Sequence, residues 1–527
     1  MAQRSASIVL VPTGAMASFC VVALFFTKWK RYKRQKLYFQ PDSMGTDRGA
    51  ISGRGESLLT PTIPYILDYL KCLQDHCDPY TNPRGYIPLC MSENKLIIEL
   101  IGLRLMQIET ASRAFSDSAV YCYNNTLGLP GPREAVAYFL AKHFMCPEDR
   151  DMSIRDALDI IRPDHIAFGS GAASLLSHLA LSLAEHGDAV LIPAPYYAAF
   201  DADLKIVAGC IAVPVHSSNP SIGPTSDDLE SAAAMAEAKG LRVRLLLITN
   251  PNNPLGTIYP PALIQSAIDW ARSRKMHTVV DELYALSTHE GGFESVIRTL
   301  NNDLRNDVRE DGVLVGINGH SYFSMLTHFR VHIAHILLYY QQVHHVWALS
   351  KDFGASGFRI GTLYSKNQRL LSSIANLNIF SGVSHPMQMV VQELLMDDNF
   401  IYGFLDNSRQ RIRYSYKLCI ARLDEMVIPY VPAKAGIFVY ADFSSLLPDQ
   451  TFGGEAKFSS LLLDAARIIM TPGQAQHDRK PGMFRICYAF VTPEILEMAM
   501  QRLDKIVGKI RRWHWDNLNA ESLTDIL

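Results

Sequence analysis

The sequence predicts an α/β protein, with a mostly parallel central sheet in a large domain and a smaller α+β domain at the C-terminal end. Three observations predict it. Between Asp164 and Tyr284 short apolar runs alternate with amphipathic helical stretches, the pattern of a sheet covered by helices on both faces. After Gly361 the order changes to long helical stretches followed by separated strand-like segments. The length of 527 residues also exceeds what one hydrophobic core serves.

Composition narrows the class further. A hydrophobic fraction of 48% and a charged fraction of 19% are those of an ordinary globular protein. A net charge of −2 offers no electrostatic footprint for nucleic acid. Nine cysteines are scattered without a CxxC pair, which is neither a disulfide framework nor a zinc pattern and points to a reducing compartment.

In chain order, residues 1–36 read as an N-terminal membrane anchor with a basic flank. Ile8 to Phe26 is a run of nineteen uncharged residues, and Lys28, Lys30, Arg31, Lys33, Arg34 and Lys36 follow it. The positive charge lies behind the apolar run, unlike a cleaved signal, so the catalytic part is expected on the cytosolic side. Pro12 and Gly14 interrupt the run, and a cytoplasmic protein with a misassigned start is the alternative. Residues 37–60 are a polar linker. Residues 61–130 form the N-terminal segment of the catalytic fold, beginning with Ile66, Leu67, Leu70 and Leu73 at helical spacing.

Residues 131–365 make up the large domain. Gly128-Leu-Pro-Gly-Pro132 opens a helix from Arg133 to Phe144, and Phe168-Gly-Ser-Gly-Ala-Ala-Ser174 leads into another. Ala189–Pro193, Ile211–Val215, Leu245–Ile248 and His277–Val280 read as strands, with a helix from Ala262 to Arg272 between the last two. Residues 366–527 form the smaller domain. Two helices are predicted there, over about 366–396 and 398–426. Strands follow at Ala435–Asp442 and Phe484–Ala489, then a closing helix from Pro493 to Arg511.

The chemistry gathers at strand ends. Leu245–Ile248 runs into Thr249-Asn-Pro-Asn-Asn-Pro-Leu-Gly-Thr257, His277–Val280 into Asp281-Glu-Leu-Tyr284, and an apolar run ends in Ser350-Lys351. Ligands on such sheets collect beyond the carboxyl ends of the strands. A lysine dried by apolar neighbours can lose its proton and form a Schiff base with an aldehyde. Arg359, across a Gly/Ser-rich turn, suits a phosphate because its planar fork matches phosphate oxygens. An aldehyde and a phosphate together describe pyridoxal 5′-phosphate. Arg485, one charge amid the apolar Phe484–Ala489 run, reads as a buried carboxylate clamp. Singly, these residues have blander readings. Asn252 and Asn253 suit a turn, Asp281 a helix cap, Tyr197 a core position and Glu93 a solvated loop. Their joint order at successive strand ends carries the cofactor reading.

Residues 312–343 are atypical. His320, His328, His332 and His335 mix with Phe, Tyr and Leu just before the key lysine. No acidic or cysteine ligand accompanies them, so no metal is expected. A surface insertion and a retained intron both fit the composition shift.

Asn250–Thr257, Asp281–Tyr284, Ser350–Gly361 and Phe484–Ala489 together resemble the class I/II pyridoxal-phosphate aminotransferases of fold type I. Ser350-Lys-Asp-Phe-Gly-Ala-Ser-Gly-Phe-Arg-Ile-Gly361, Ser92-Glu-Asn-Lys-Leu96 and Pro195-Tyr-Tyr-Ala-Ala-Phe-Asp201 resemble the 1-aminocyclopropane-1-carboxylate synthase-like branch. The resemblance spans about residues 60–510 and implies roles for particular residues. Lys351 carries the Schiff base and acts as base at the substrate α-carbon. Asp281 pairs with the pyridine nitrogen, while Tyr284 and Asn253 reach the 3-oxygen. Tyr197 stacks on the ring, with Tyr196 the other candidate. The amides of Ala172 and Ala173, with Ser350 and Arg359, hold the phosphate. Arg485 takes the substrate carboxylate, and Glu93 and Thr126 line the substrate side.

Departures are visible. Ala348 stands where the family usually has serine, and Ala173 where it usually has threonine. Thr126 replaces the tyrosine that precedes His-Gly-Leu-Pro in the synthases. The resemblance implies an aminotransferase-like enzyme on an amino acid or derived metabolite in specialised metabolism, working as a homodimer. A carbon–sulfur lyase, an aminocyclopropane carboxylate synthase and a catalytically idle membrane-tethered scaffold are the alternatives; the intact Lys351, Asp281 and Arg359 count against the last. The spliced transcript across residues 312–343 is expected to be uninterrupted if the segment is a genuine insertion. Sequencing the message checks this.

Overall fold

The computed structural model describes residues 51–289, 292–298, 341–513, 515 and 526–527. The apolar run Ile8–Phe26 and the histidines at 320, 328, 332 and 335 lie outside these residues. Among the described residues no helix is long and apolar enough to cross a membrane. Residues 51–60, expected as linker, contain a short helix, Gly53–Ser57, because the Ser52 hydroxyl accepts from the Gly55 N–H at 3.2 Å. Residues 61–527 form a separate compact unit.

Seven strands build the main sheet: β1 (Ile166–Gly169), β2 (Ala189–Ala194), β3 (Ile211–His216), β4 (Val243–Thr249), β5 (His277–Asp281), β6 (Val343–Ala348) and β7 (Gly361–Ser365). Their order is β1-β7-β6-β5-β4-β2-β3, and all neighbours are parallel except those of β7. β1 and β6 both run opposite to β7, so six strands share one direction. Alternation of side chains explains the three layers. Val190, Ile192, Leu245 and Leu247 pack with Leu175, Leu176 and Leu179 of the Gly171–Leu183 helix. Leu191, Leu246, Ile248 and Val280 pack instead with Leu229, Ala233, Ile264 and Ile268. The helices carrying those residues are Ser226–Ala238, opened by a Thr225–Asp228 capping box, and Pro261–Ser273.

β6 begins at Val343, so the last residue of the atypical segment is a strand residue. The histidines that follow serve the interior. His344 bonds Ser365 Oγ and His277 Nδ1, each at 2.9 Å, and His345 Nε2 lies 3.1 Å from Glu282.

A smaller antiparallel sheet follows, made of β8 (Tyr430–Val431), β9 (Val439–Asp442), β10 (Thr471–Pro472) and β11 (Met483–Ile486), in the order β10-β11-β9-β8. Phe484 and Ile486 of β11 enter the same core as Leu496, Leu503 and Ile506 of the Pro493–Trp513 helix. Arg485, between them, faces the other way. The helix expected over 366–396 is two helices, Gln368–Ser381 and His385–Leu395, because Gly382 ends the first and Pro386 opens the second. The N-terminal segment joins this part through Ile87–Pro88, paired in parallel with Ile468–Ile469.

Trp347 of β6 is fully buried and holds the strand that leads to Lys351. Its ring stacks on Phe139 at 5.1 Å and meets Phe144 edge-on at 5.7 Å. Trp347→Ala is expected to lose about 3–5 kcal/mol of stability, read from the denaturant unfolding midpoint.

Candidate active site

β4, β5 and β6 end side by side, with Thr249 opposite Asp281 and Asp281 opposite Val346. Beyond β4 lies the buried Asn250–Asn253 turn, and beyond β5 the Tyr284 loop. β6 runs into a short helical turn, Leu349–Asp352, which carries Lys351. β1 has the same direction, so Gly171 emerges at the same edge, as does Tyr197 beyond β2.

Lys351 is half-buried, and its Nζ donates to the Ser92 carbonyl at 2.5 Å. Burial pulls its pKa from 10.5 down to about 8; Glu93 opposes the shift and Arg485 adds to it. Asp281 is 4% exposed. Burial raises its carboxyl to about 7, against the Leu283 N–H at 3.1 Å and the nearby Lys351 charge. Tyr284 shares a 2.7 Å hydrogen bond with Ser92 Oγ, and burial keeps its phenol protonated. Arg485 donates from Nη1 to Asn253 Oδ1 at 2.9 Å and from Nη2 to the Cys90 carbonyl at 2.5 Å and Thr471 Oγ1 at 3.1 Å. Glu93 accepts from the Ser356 hydroxyl at 2.6 Å.

The two tyrosines part company. Tyr196 is buried, stacks on His477 at 4.5 Å and donates to Asp201 at 2.9 Å. Tyr197 is half-buried, and the charges of Arg485 and Asp281 both act on its phenol.

At the other end lies an anion cradle. The Ser170 side chain does not cap the Gly171–Leu183 helix, because its hydroxyl donates to the Ser381 carbonyl at 2.6 Å. The first-turn amides of Gly171, Ala172 and Ala173 therefore lack a side-chain cap. Arg359 takes a left-handed conformation, φ 55°, and reaches back to the Ser356 and Ser170 carbonyls at 3.0 and 3.2 Å. A Cβ on Gly171 would lie 2.5 Å from Arg359 Nη2, and one on Gly361 would lie 2.7 Å from the Gly171 carbonyl carbon. Ser350 is buried beside Lys351. Thr126 stands apart: its side chain is exposed, and its carbonyl accepts from Asn378 at 2.9 Å. Among the described residues no group of three or more His, Cys, Asp or Glu is placed to hold a metal ion.

The family model for aminotransferase class I and II matches residues 106–503. This chain belongs to that family. Within it the chain falls in the 1-aminocyclopropane-1-carboxylate synthase-like branch, and its cofactor is pyridoxal 5′-phosphate. It is 30% identical to 1-aminocyclopropane-1-carboxylate synthase 1 of Oryza sativa subsp. indica over 84% of this chain and 85% of that one. It is 29% identical to synthase 9 of Arabidopsis thaliana over 84% and 87%. Aspartate aminotransferase of Thermus thermophilus, in a structure with maleate, shares the fold with a TM-score of 0.65 at 19% identity, over 87% of this chain and 99% of that one. The residues present fit the cofactor. An amine of low pKa, a buried carboxyl and uncapped helix amides beside Arg359 are what it needs, and the buried Thr249 hydroxyl and Arg485 Nε have no protein partner among the described residues.

Residue patterns alone missed the supports: the Ser92 carbonyl, Thr471 and Asp352. Asp352 is buried and accepts from Ser287 Oγ at 2.6 Å, Trp347 Nε1 at 2.9 Å and Leu286 N at 3.3 Å. It pins the Lys351 turn to the Tyr284 loop. Its place next to the lysine was the only sequence signal. Asp352→Ala is expected to cost about 2–4 kcal/mol, because three buried donors lose their acceptor, and Asp352→Asn less. Chemical denaturation of both variants measures the difference.

Proposed function

We propose that the protein is a pyridoxal-phosphate enzyme of aminotransferase type, acting on an amino acid or an amino-acid-derived metabolite. The observation that carries this reading is the meeting of Lys351, at about pKa 8, with buried Asp281 and buried Arg485 at one sheet edge. Lys351 would hold the cofactor, and its amine would take the proton from the substrate α-carbon. Asp281 keeps a negative charge where the ring nitrogen sits; a buried carboxylate needs a cation there, and a protonated nitrogen supplies one. Tyr284 and Asn253 donate to the 3-oxygen, and Tyr197 covers the ring face. The amides of Ala172 and Ala173, Ser350 and Arg359 take the phosphate. Arg485 takes the substrate α-carboxylate through its guanidinium, whose Nε has no protein partner among the described residues. Glu93 borders the substrate, whereas Thr126, exposed and apart from the cluster, does not. The bound cofactor supplies an electron sink for the pair left when the Cα–H bond breaks.

A second reading, a lyase that expels a β- or γ-substituent, is favoured by the likeness to aminocyclopropane carboxylate synthases. Transfer of the amino group to an acceptor keto acid, against release of a thiol or alkylthio group, separates the two. We also propose a homodimer, in keeping with exposed Ile98, Leu103, Ile108 and Phe115 on the Ile98–Leu105 and Ile108–Ser116 helices.

Cofactor-loaded protein is expected to show a visible absorption band that Lys351→Ala loses. Apoprotein should regain the band at a rate that rises with pH and levels off above about 8, since only the neutral amine attacks an aldehyde. A folded, cofactor-supplemented wild type without the band would overturn the reading.

A further inference from the structure

Lys95 is a second lysine beside the site, and nothing above uses it. In the segment Ser92–Lys95, burial alternates. Ser92 and Asn94 are 7% and 0% exposed, whereas Glu93 and Lys95 are half-buried. The charge of Glu93 acts on both Lys95 and Lys351, whereas Ser92 turns inward to Tyr284. The Lys95 N–H is fixed to the Ala489 carbonyl at 2.9 Å, and Cys487 on the same C-terminal stretch bonds back to Leu89. The Lys95 ammonium lies over the Phe490 ring, 3.5 Å from its centroid.

Glu93 and Lys95 differ in what they lack. Glu93 already accepts the Ser356 hydroxyl. Lys95 forms no ion pair with it, and among the described residues its ammonium has a ring face and no oxygen acceptor. Burial pushes its pKa down, against the pull of Glu93. A cation that is partly desolvated and lacks an anion is costly unless a partner arrives with the ligand. Lys95 follows Ser92, whose carbonyl holds Lys351, by three positions, so the two backbones lie within about 11 Å. That is within reach of an amino-acid side chain whose α-carbon sits at Lys351.

We propose that Lys95, over Phe490, is a specificity-determining residue that receives a carboxylate at the far end of the substrate's side chain. The inference rests on the cofactor and Arg485 roles given above. The preferred substrate class is therefore a dicarboxylic amino acid: Arg485 takes the α-carboxylate and Lys95 the distal one.

The test is a calorimetric titration of cofactor-loaded protein with 2-methylglutamate and 2-methylglutamine, which have no α-proton to lose. Wild type is expected to bind the acid at least tenfold more tightly than the amide, the scale of a charge-assisted contact. Lys95→Met should reduce that ratio to near one by weakening the acid alone, and Lys95→Arg should restore it. A ratio near one in wild type, a ratio that survives Lys95→Met, or no binding of either compound while the visible band is present would each overturn the proposal and leave the cofactor reading standing. Absence of the band would instead defeat the cofactor reading.

Discussion

The contact on which the site depends joins a side chain to a backbone oxygen far away in the chain. Lys351 Nζ reaches the Ser92 carbonyl across 259 positions, and the same residue's hydroxyl bonds Tyr284. One loop from the N-terminal segment thus sets both a lysine and a phenol that come from neighbouring strand ends. The site is dry enough to pull the lysine toward neutrality and to push Asp281 toward protonation. Desolvation acts on each in the direction that weakens its charge. The cofactor's charges then meet groups whose own charges are poorly solvated.

Arg485 does the corresponding work for the two sheets. It leaves β11 on the face opposite Phe484 and Ile486, and it is 1% exposed. Its donors satisfy Asn253 of the main sheet, Cys90 of the N-terminal segment and Thr471 of β10. A buried guanidinium tolerates such a place only when its fork is filled. The three chain segments that fill it are therefore held in one geometry, and the unpartnered Nε remains to meet a ligand.

The helix start beside Arg359 carries few hydroxyls. Ala348 and Ala173 contribute none, and Ser174 is half-buried in the first helical turn. The backbone instead approaches closely there. Gly171 and Gly361 leave room for Arg359 to lie against the helix start, where a single Cβ would collide with guanidinium or backbone. Amides at a helix N-terminus attract an anion whatever the side chains are, so the cradle survives the two alanines.

By itself the sequence determined the parallel sheet and the order of its strand ends, and it singled out the candidate chemical residues. Strand and helix periods are written in the spacing of apolar residues, and Lys351, Asp281, Arg359 and Arg485 are required for what their own atoms can do. Only the tertiary structure decided which groups assist them. It assigned Tyr196 to His477 and Asp201, split one long helix at Gly382 and set Thr126 on the surface. It also recruited the Ser92 carbonyl and gave Asp352 its three donors. The physical reason is that a carbonyl, a serine or a second aspartate carries no distinguishing pattern along the chain. Such a group gains its role only when folding brings a distant donor within hydrogen-bond reach and removes the water that would otherwise take its place.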